Sequence, residues 1–154
     1  MCTICGLRCI CIGVEMLKKL ILYLVTRYYR VTGKGIGRTK LMKLVFLVDY
    51  LYWKRFGKRL LDVKWVKYLY GPFSKAVLEA LDELEREGII GVAELDKGIT
   101  LYTALYNNIK LSEEAKKIVD EVVENFGKLS LDELLKYVYS LDEVRGRDLG
   151  EEIL

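Results

Sequence analysis

Apolar residues recur at helical spacing from Met16 onward. Leu17, Leu20, Ile21, Leu24 and Tyr28 share one face while Lys18, Lys19, Arg27 and Arg30 look outward, which predicts a first helix from about Met16 to Val31. Gly33, Gly35 and Gly37 interrupt that pattern, as residues of low helix propensity do. A second helix is predicted after Thr39, a plausible N-cap, running to about Phe56. Between Leu41 and Trp53 only Lys43 and Asp49 are charged, so this helix is apolar nearly all round and belongs at the centre of the core. Asp49 falls on the stripe formed by Met42, Phe46, Trp53 and Phe56. An unpaired carboxylate there would be costly, so a neighbouring loop, Lys or Arg must satisfy it.

Gly57 closes the second helix, and Val63 and Trp65 alternate with Lys64 and Lys67 as on a short, half-exposed strand. Tyr70-Gly71-Pro72-Phe73 contains the only proline and predicts a sharp turn, because glycine accepts positive φ and proline fixes its own. Ser74 can then cap a third helix with Val77, Ala80, Leu81 and Leu84 inward and Glu79, Asp82, Glu83, Glu85 and Glu87 outward. The runs Gly91 to Leu95 and Ile99 to Tyr106, joined by Asp96-Lys97-Gly98, read as a β-hairpin. Ser112, Glu113 and Glu114 open a fourth helix whose Ala115, Ile118, Val119, Val122, Val123 and Phe126 repeat at helical spacing until Gly127. Ser130 and Glu133 form a capping box for a fifth helix ending near Ser140, with Leu129 and Leu134 placed as a hydrophobic staple. Beyond Leu141 the chain is charged and glycine-broken, which predicts a tail over residues 142–154 that is frayed or ordered by a partner.

The expected fold is therefore α+β and mainly α: one compact domain over residues 16–141, with about five helices around a buried central helix, a short strand and a wing-like hairpin. A chain of 154 residues with 52% apolar composition suffices for one such core. Histidine is absent, which removes Ser-His and Cys-His catalytic pairs and His-ligated metals. Glutamine is absent too, while Lys, Glu, Tyr, Val and Leu are plentiful, a bias expected of a hot-growing organism. Charges interrupt every apolar run before the ~18 residues a membrane span needs. No secretory pattern opens the chain, so a cytoplasmic location is expected.

Residues 1–75 hold sixteen Lys and Arg against three Asp and Glu, whereas residues 76–154 hold nine against nineteen. Either the first half meets an acidic partner, nucleic acid or protein, or the two halves pack together with their charges interleaved. The glycine-rich run Gly33-Lys34-Gly35-Ile36-Gly37 lacks both the preceding strand and the following Lys-Ser/Thr of a phosphate loop. All four cysteines, Cys2, Cys5, Cys9 and Cys11, lie in residues 1–15. Four thiolates could hold a tetrahedral ion, but ten residues without a core would have to wrap it. A dispensable extension preceding a start at Met16, or thiols and disulfides of no catalytic role, are simpler accounts, and no cofactor is expected.

The segment from Lys40 to Leu84 resembles the Panacea domain, the SocA-like antitoxin family. That family is marked by a Lys-Leu-x-Lys-Leu helix, a Gly-(Arg/Lys)-x-Leu bend and a Tyr/His-Gly-Pro turn before another helix. Here those pieces are Lys40-Leu41-Met42-Lys43-Leu44, Gly57-Lys58-Arg59-Leu60 and Tyr70-Gly71-Pro72. Leu129-Ser130-Leu131-Asp132-Glu133-Leu134 matches the family's C-terminal Leu-Ser-x-x-Glu-Leu helix, so the likeness covers about residues 16–140. Phe46 stands where an aromatic is usual, and an acidic or polar residue is common near the position of Asp49. Phe73 departs from the small aliphatic residue common at its position. A looser resemblance, to winged-helix domains, covers about residues 74–112.

The family resemblance implies a non-enzymatic module that neutralises a protein toxin, usually the product of a neighbouring gene, by direct contact. Candidate motif or partner-binding residues are Lys40, Lys43, Asp49, Lys58, Arg59, Tyr70, Gly71, Pro72 and Phe73. Tyr28, Tyr29, Tyr50, Tyr52 and Tyr68 join Tyr70 and Phe73 as possible interface aromatics, of which about a third are expected at a surface. The alternative is a winged-helix-like DNA-binding regulator using Arg38, Lys40, Lys43, Lys54, Arg55 and Lys97. Against it, the second helix looks buried and the third is acidic. An enzyme built on Asp49 lacks a second group to share acid and base roles.

Overall fold

The computed structural model describes residues 12–154, in which six helices and two small antiparallel sheets enclose one apolar core. Helix α1 (Ile12–Thr32) begins before the expected start and buries Leu17, Leu20, Ile21, Leu24 and Tyr28 as their spacing requires. Strand β1 (Ile36–Gly37) follows, in a segment expected only to break helical structure. Helix α2 (Arg38–Phe56) therefore starts directly from a strand. Its N-cap is Gly37, extended at φ −71° and ψ 155° and without a side-chain cap, rather than Thr39. Every residue from Leu41 to Tyr50 is buried, which makes α2 the central rod. Gly57 ends it in the left-handed region at φ 74°, its N–H donating to the Trp53 carbonyl at 2.8 Å.

Strands β2 (Trp65–Tyr68) and β3 (Gly71–Phe73) form an antiparallel hairpin with Val66 opposite Phe73 and Tyr68 opposite Gly71. The reversal lies at Leu69-Tyr70, so Gly71-Pro72-Phe73, expected as the turn itself, is the returning strand. Proline is tolerated because β3 is an edge strand. Helix α3 (Lys75–Arg86) is capped by Ser74, whose hydroxyl accepts from the Val77 N–H at 3.4 Å. Strands β4 (Gly91–Leu95) and β5 (Ile99–Thr103) make the expected hairpin around Asp96-Lys97-Gly98, and β1 pairs with β5 to give the order β1-β5-β4.

Helix α4 (Glu113–Phe126) carries the Ser112 cap, and α5 (Leu131–Ser140) has the full capping box of Ser130 and Glu133. After Leu141 the chain does not fray. It forms the single-turn helix α6 (Asp142–Arg145) and the strand β6 (Glu152–Ile153), which pairs with β2 opposite Trp65 and completes the order β3-β2-β6. Val144 and Ile153 are fully buried. Two apolar side chains thus anchor an otherwise charged segment. Among the described residues no helix is long and apolar enough to cross a membrane, and the four cysteines lie outside them.

Because Ile153 is fully buried opposite Trp65 in the sheet, Ile153→Ala is expected to lower unfolding free energy by about 2–4 kcal/mol. Urea denaturation checks this; an unchanged midpoint would mean that the last strand contributes nothing to the core.

Candidate functional site

Asp49 is wholly buried and fully engaged. Its Oδ2 accepts from Arg59 Nε at 3.2 Å, Arg59 Nη2 at 2.5 Å and Trp65 Nε1 at 2.9 Å, while Oδ1 accepts from the Leu61 N–H at 3.1 Å. Arg59 Nη2 also donates to the Val63 carbonyl at 3.0 Å. One carboxylate thereby ties the bend after Gly57 and the start of β2 to the middle of α2. Trp65 is held further by its edge-on packing against Phe46, with centroids 5.2 Å apart and planes at 83°. Sequence demanded a partner for Asp49; the fold supplies a guanidinium, a backbone N–H and an indole.

The hairpin so positioned walls a cleft of about 210 Å³ against the first turns of α2. Arg38, Thr39, Met42 and Lys43 line one side, Tyr68, Tyr70, Gly71 and Phe73 the other, with Leu78 of α3 between. Tyr68 and Phe73 stack at 5.3 Å, and Tyr70 is 69% exposed at the hairpin tip. Lys43 is buried, and Nζ reaches the Pro72 carbonyl only at 3.5 Å. Burial pulls its ammonium down from 10.5 to about 8. Gly71 sits at φ +93°, where a Cβ would lie 2.8 Å from Lys43 Cε. That backbone conformation favours glycine, and a side chain there would also have to displace the lysine stem.

Tyr139 of α5, which no sequence pattern singled out, secures the hairpin from below. Its hydroxyl accepts from the Gly71 N–H at 2.8 Å and faces the carbonyls of Tyr68 at 2.6 Å and Leu69 at 2.8 Å. One proton serves one of these carbonyls at a time.

The family model described as Antitoxin SocA-like, Panacea domain, matches residues 41–143. The chain belongs to this family. The match runs from the first buried turn of α2 into α6 and includes the Asp49 cluster and most of the cleft. No curated protein and no solved structure matches the chain.

In this Panacea domain the remaining candidate residues go to several places. Lys40 Nζ donates to the Leu129 carbonyl at 2.8 Å and the Tyr28 hydroxyl at 3.3 Å, bridging α2, the entry to α5 and α1; burial lowers its pKa. Arg38 Nε donates to the Tyr102 hydroxyl at 2.9 Å, a bond that raises its pKa. Lys54 pairs with Glu143 at 3.0 Å, and Arg55 makes two bonds to Glu121 at 3.1 and 2.9 Å. Lys58 is exposed on the bend, and Lys97 sits at the tip of the β4–β5 hairpin with φ 68°. Lys54 and Arg55 thus lie roughly 25 Å along the helix axis from Arg38, so the basic candidates form no single cluster. Of the aromatics, Tyr28, Tyr50 and Tyr52 are core, whereas Tyr29, Tyr68 and Tyr70 are exposed.

The opposite charges of the two halves meet inside the domain. Lys18 pairs with Glu83 at 2.8 Å, Arg27 with Asp120 at 3.0 Å, and Lys54 and Arg55 with the acids above. Interleaving of this kind accounts for part of the asymmetry along the sequence, although pairs near the surface add little stability each.

Removing the Asp49 charge strands Arg59 and adds donors where donors already converge. Asp49→Asn is expected to cost about 3–5 kcal/mol in urea unfolding at neutral pH; a cost below about 1 kcal/mol would remove its organising role.

Lys43 has the opposite sign. Its folded pKa lies below its unfolded one, so wild-type stability gains as pH rises from about 8 toward 10.5. Lys43→Met is therefore expected to be more stable than wild type at about pH 7 by about 2–3 kcal/mol, with the gap narrowing by about pH 9.5. Paired denaturation curves at the two pH values check both sign and trend.

Proposed function

We propose that this Panacea domain is a non-enzymatic, cytoplasmic protein-binding module that neutralises a partner protein, a cognate toxin or the product of a neighbouring gene, by direct contact. Family membership supports the antitoxin-like role. The observation that carries the location of contact is the hairpin tip: Tyr68, Leu69 and Tyr70 stand 49%, 73% and 69% exposed beside the Lys43 cleft. Large aromatics in solvent are costly to leave bare and contribute strongly when covered. Asp49 is saturated by hydrogen bonds away from solvent, which supports a structural role for it rather than an acid–base one.

A second reading, DNA binding, is favoured by the strand order β1-β5-β4 beside α1, α2 and α3, which suits a winged helix, although the β2–β3 hairpin is inserted between α2 and α3. It is the weaker one, because α3 presents Glu79, Asp82 and Glu85 to solvent and repels phosphates.

Co-expression with each adjacent open reading frame tests the first reading. A stable co-purifying complex and rescue of growth from the partner's toxicity are expected. Tyr70→Ala should weaken that complex about tenfold or more without shifting thermal unfolding. Retention of duplex DNA with a steep salt dependence, and no complex with any neighbouring product, would favour the regulator instead.

A further inference from the structure

Lys43 is a buried cation that the fold leaves short of acceptors. Only 3% of the residue is exposed, and its protein acceptor among the described residues is a single carbonyl at the outer limit of hydrogen-bond distance. An ammonium carries three donors, so two lack a partner among the described residues. Among the described residues no carboxylate offsets the burial of the ammonium. With a pKa of about 8 the group still carries its proton for most of the time at neutral pH. Asp49, six residues on along the same helix, has four donors converging on it.

The space around Lys43 narrows the chemistry of what would complete it. At about 210 Å³ the cleft is smaller than the several hundred Å³ usual for cofactor or metabolite pockets and suits one side chain. Its walls are Met42, Tyr68, Tyr70, Phe73 and Leu78, with exposed Arg38 the second cation lining it. A phosphate backbone needs a track of free cations, whereas Lys54 and Arg55 are already paired at the other end of α2. A buried ammonium among apolar walls, with the exposed Arg38 guanidinium also lining the cleft, matches a carboxylate on an aliphatic stem.

We propose that this cleft receives a Glu or Asp side chain of the partner protein, its carboxylate accepting hydrogen bonds from the Lys43 ammonium and its stem lying against Tyr70, Phe73 and Met42. The inference rests on the protein-binding reading above and assigns that contact its chemistry. Gly71 brings the strand close over the lysine stem, and Tyr139 holds the strand there.

Random peptides displayed on phage, selected against the full-length protein, test this. Selected sequences are expected to share one Glu or Asp flanked by apolar residues. With a synthetic copy, Glu→Gln in the peptide and Lys43→Met in the protein should each weaken binding about tenfold or more, and the two losses should not add. Tyr70→Ala, at a solvent-exposed tip, should weaken the same peptide while leaving unfolding unchanged. Selected peptides without an acidic preference, full binding by a folded Lys43→Met variant, or displacement of the peptide by a duplex oligonucleotide would each overturn the proposal. A co-expressed partner complex that withstands Lys43→Met sinks the cleft but leaves the binding module standing. Acid-dependent, Lys43-dependent peptide binding without any such complex keeps the cleft and sinks the toxin-partner reading.

Discussion

The four hydrogen bonds that converge on Asp49 fix the path of the chain from Gly57 into β2. A carboxylate on the apolar face of a central helix cannot remain unpaired, so the chain after Gly57 must fold back until Arg59, the Leu61 N–H and the Trp65 indole reach it. That return sets where β2 begins. It also brings β2 alongside β6 and β3 over Lys43, which is how a core interaction creates a surface cleft. A buried ion pair of this kind need not exceed an apolar replacement in stability; its effect here is to select one path for the bend over others.

Two charges on one helix therefore have different fates. Asp49 is neutralised by a guanidinium that still reaches solvent, with 29% of its side chain exposed, and gains a backbone and an indole donor besides. Lys43 lies beneath an edge strand with one distant carbonyl. The same hydrophobic surroundings make the first an organising group and the second an unsatisfied one, and unsatisfied buried charge beside exposed aromatics is the arrangement on which the binding proposal stands.

The distribution of the other charges reinforces this. Basic residues of α1 and α2 face acids of α3, α4 and α6, so part of the sign asymmetry along the chain is met between its own layers. Lys40 likewise ties the motif helix to the capped entry of α5 through the Leu129 carbonyl. The Lys-Leu-x-Lys-Leu pattern thus serves two ends: its first lysine joins elements of the fold, and its second lies under the cleft.

Local sequence determined whatever depends on a few neighbouring residues. The caps at Ser74, Ser112 and Ser130, the stop at Gly57, the apolar rod and the β4–β5 hairpin all follow from side chains within one turn of the backbone they satisfy. The need for a partner to Asp49 was also legible, since a charge on an apolar stripe must be met. An Arg and a loop N–H are among the expected partners; the Trp65 indole is not, because it lies sixteen residues away and is delivered by a bend. The two-residue strands β1 and β6 carry no periodic signal and exist only because β5 and β2 offer them a ladder. For the same reason Gly71-Pro72-Phe73 carries the residues of a turn yet forms a strand: dihedral preference is local, but strand identity belongs to the pairing. Burial of Val144 and Ile153 ordered a segment whose composition alone suggested fraying, since two apolar contacts with a distant core outweigh the polarity of their neighbours.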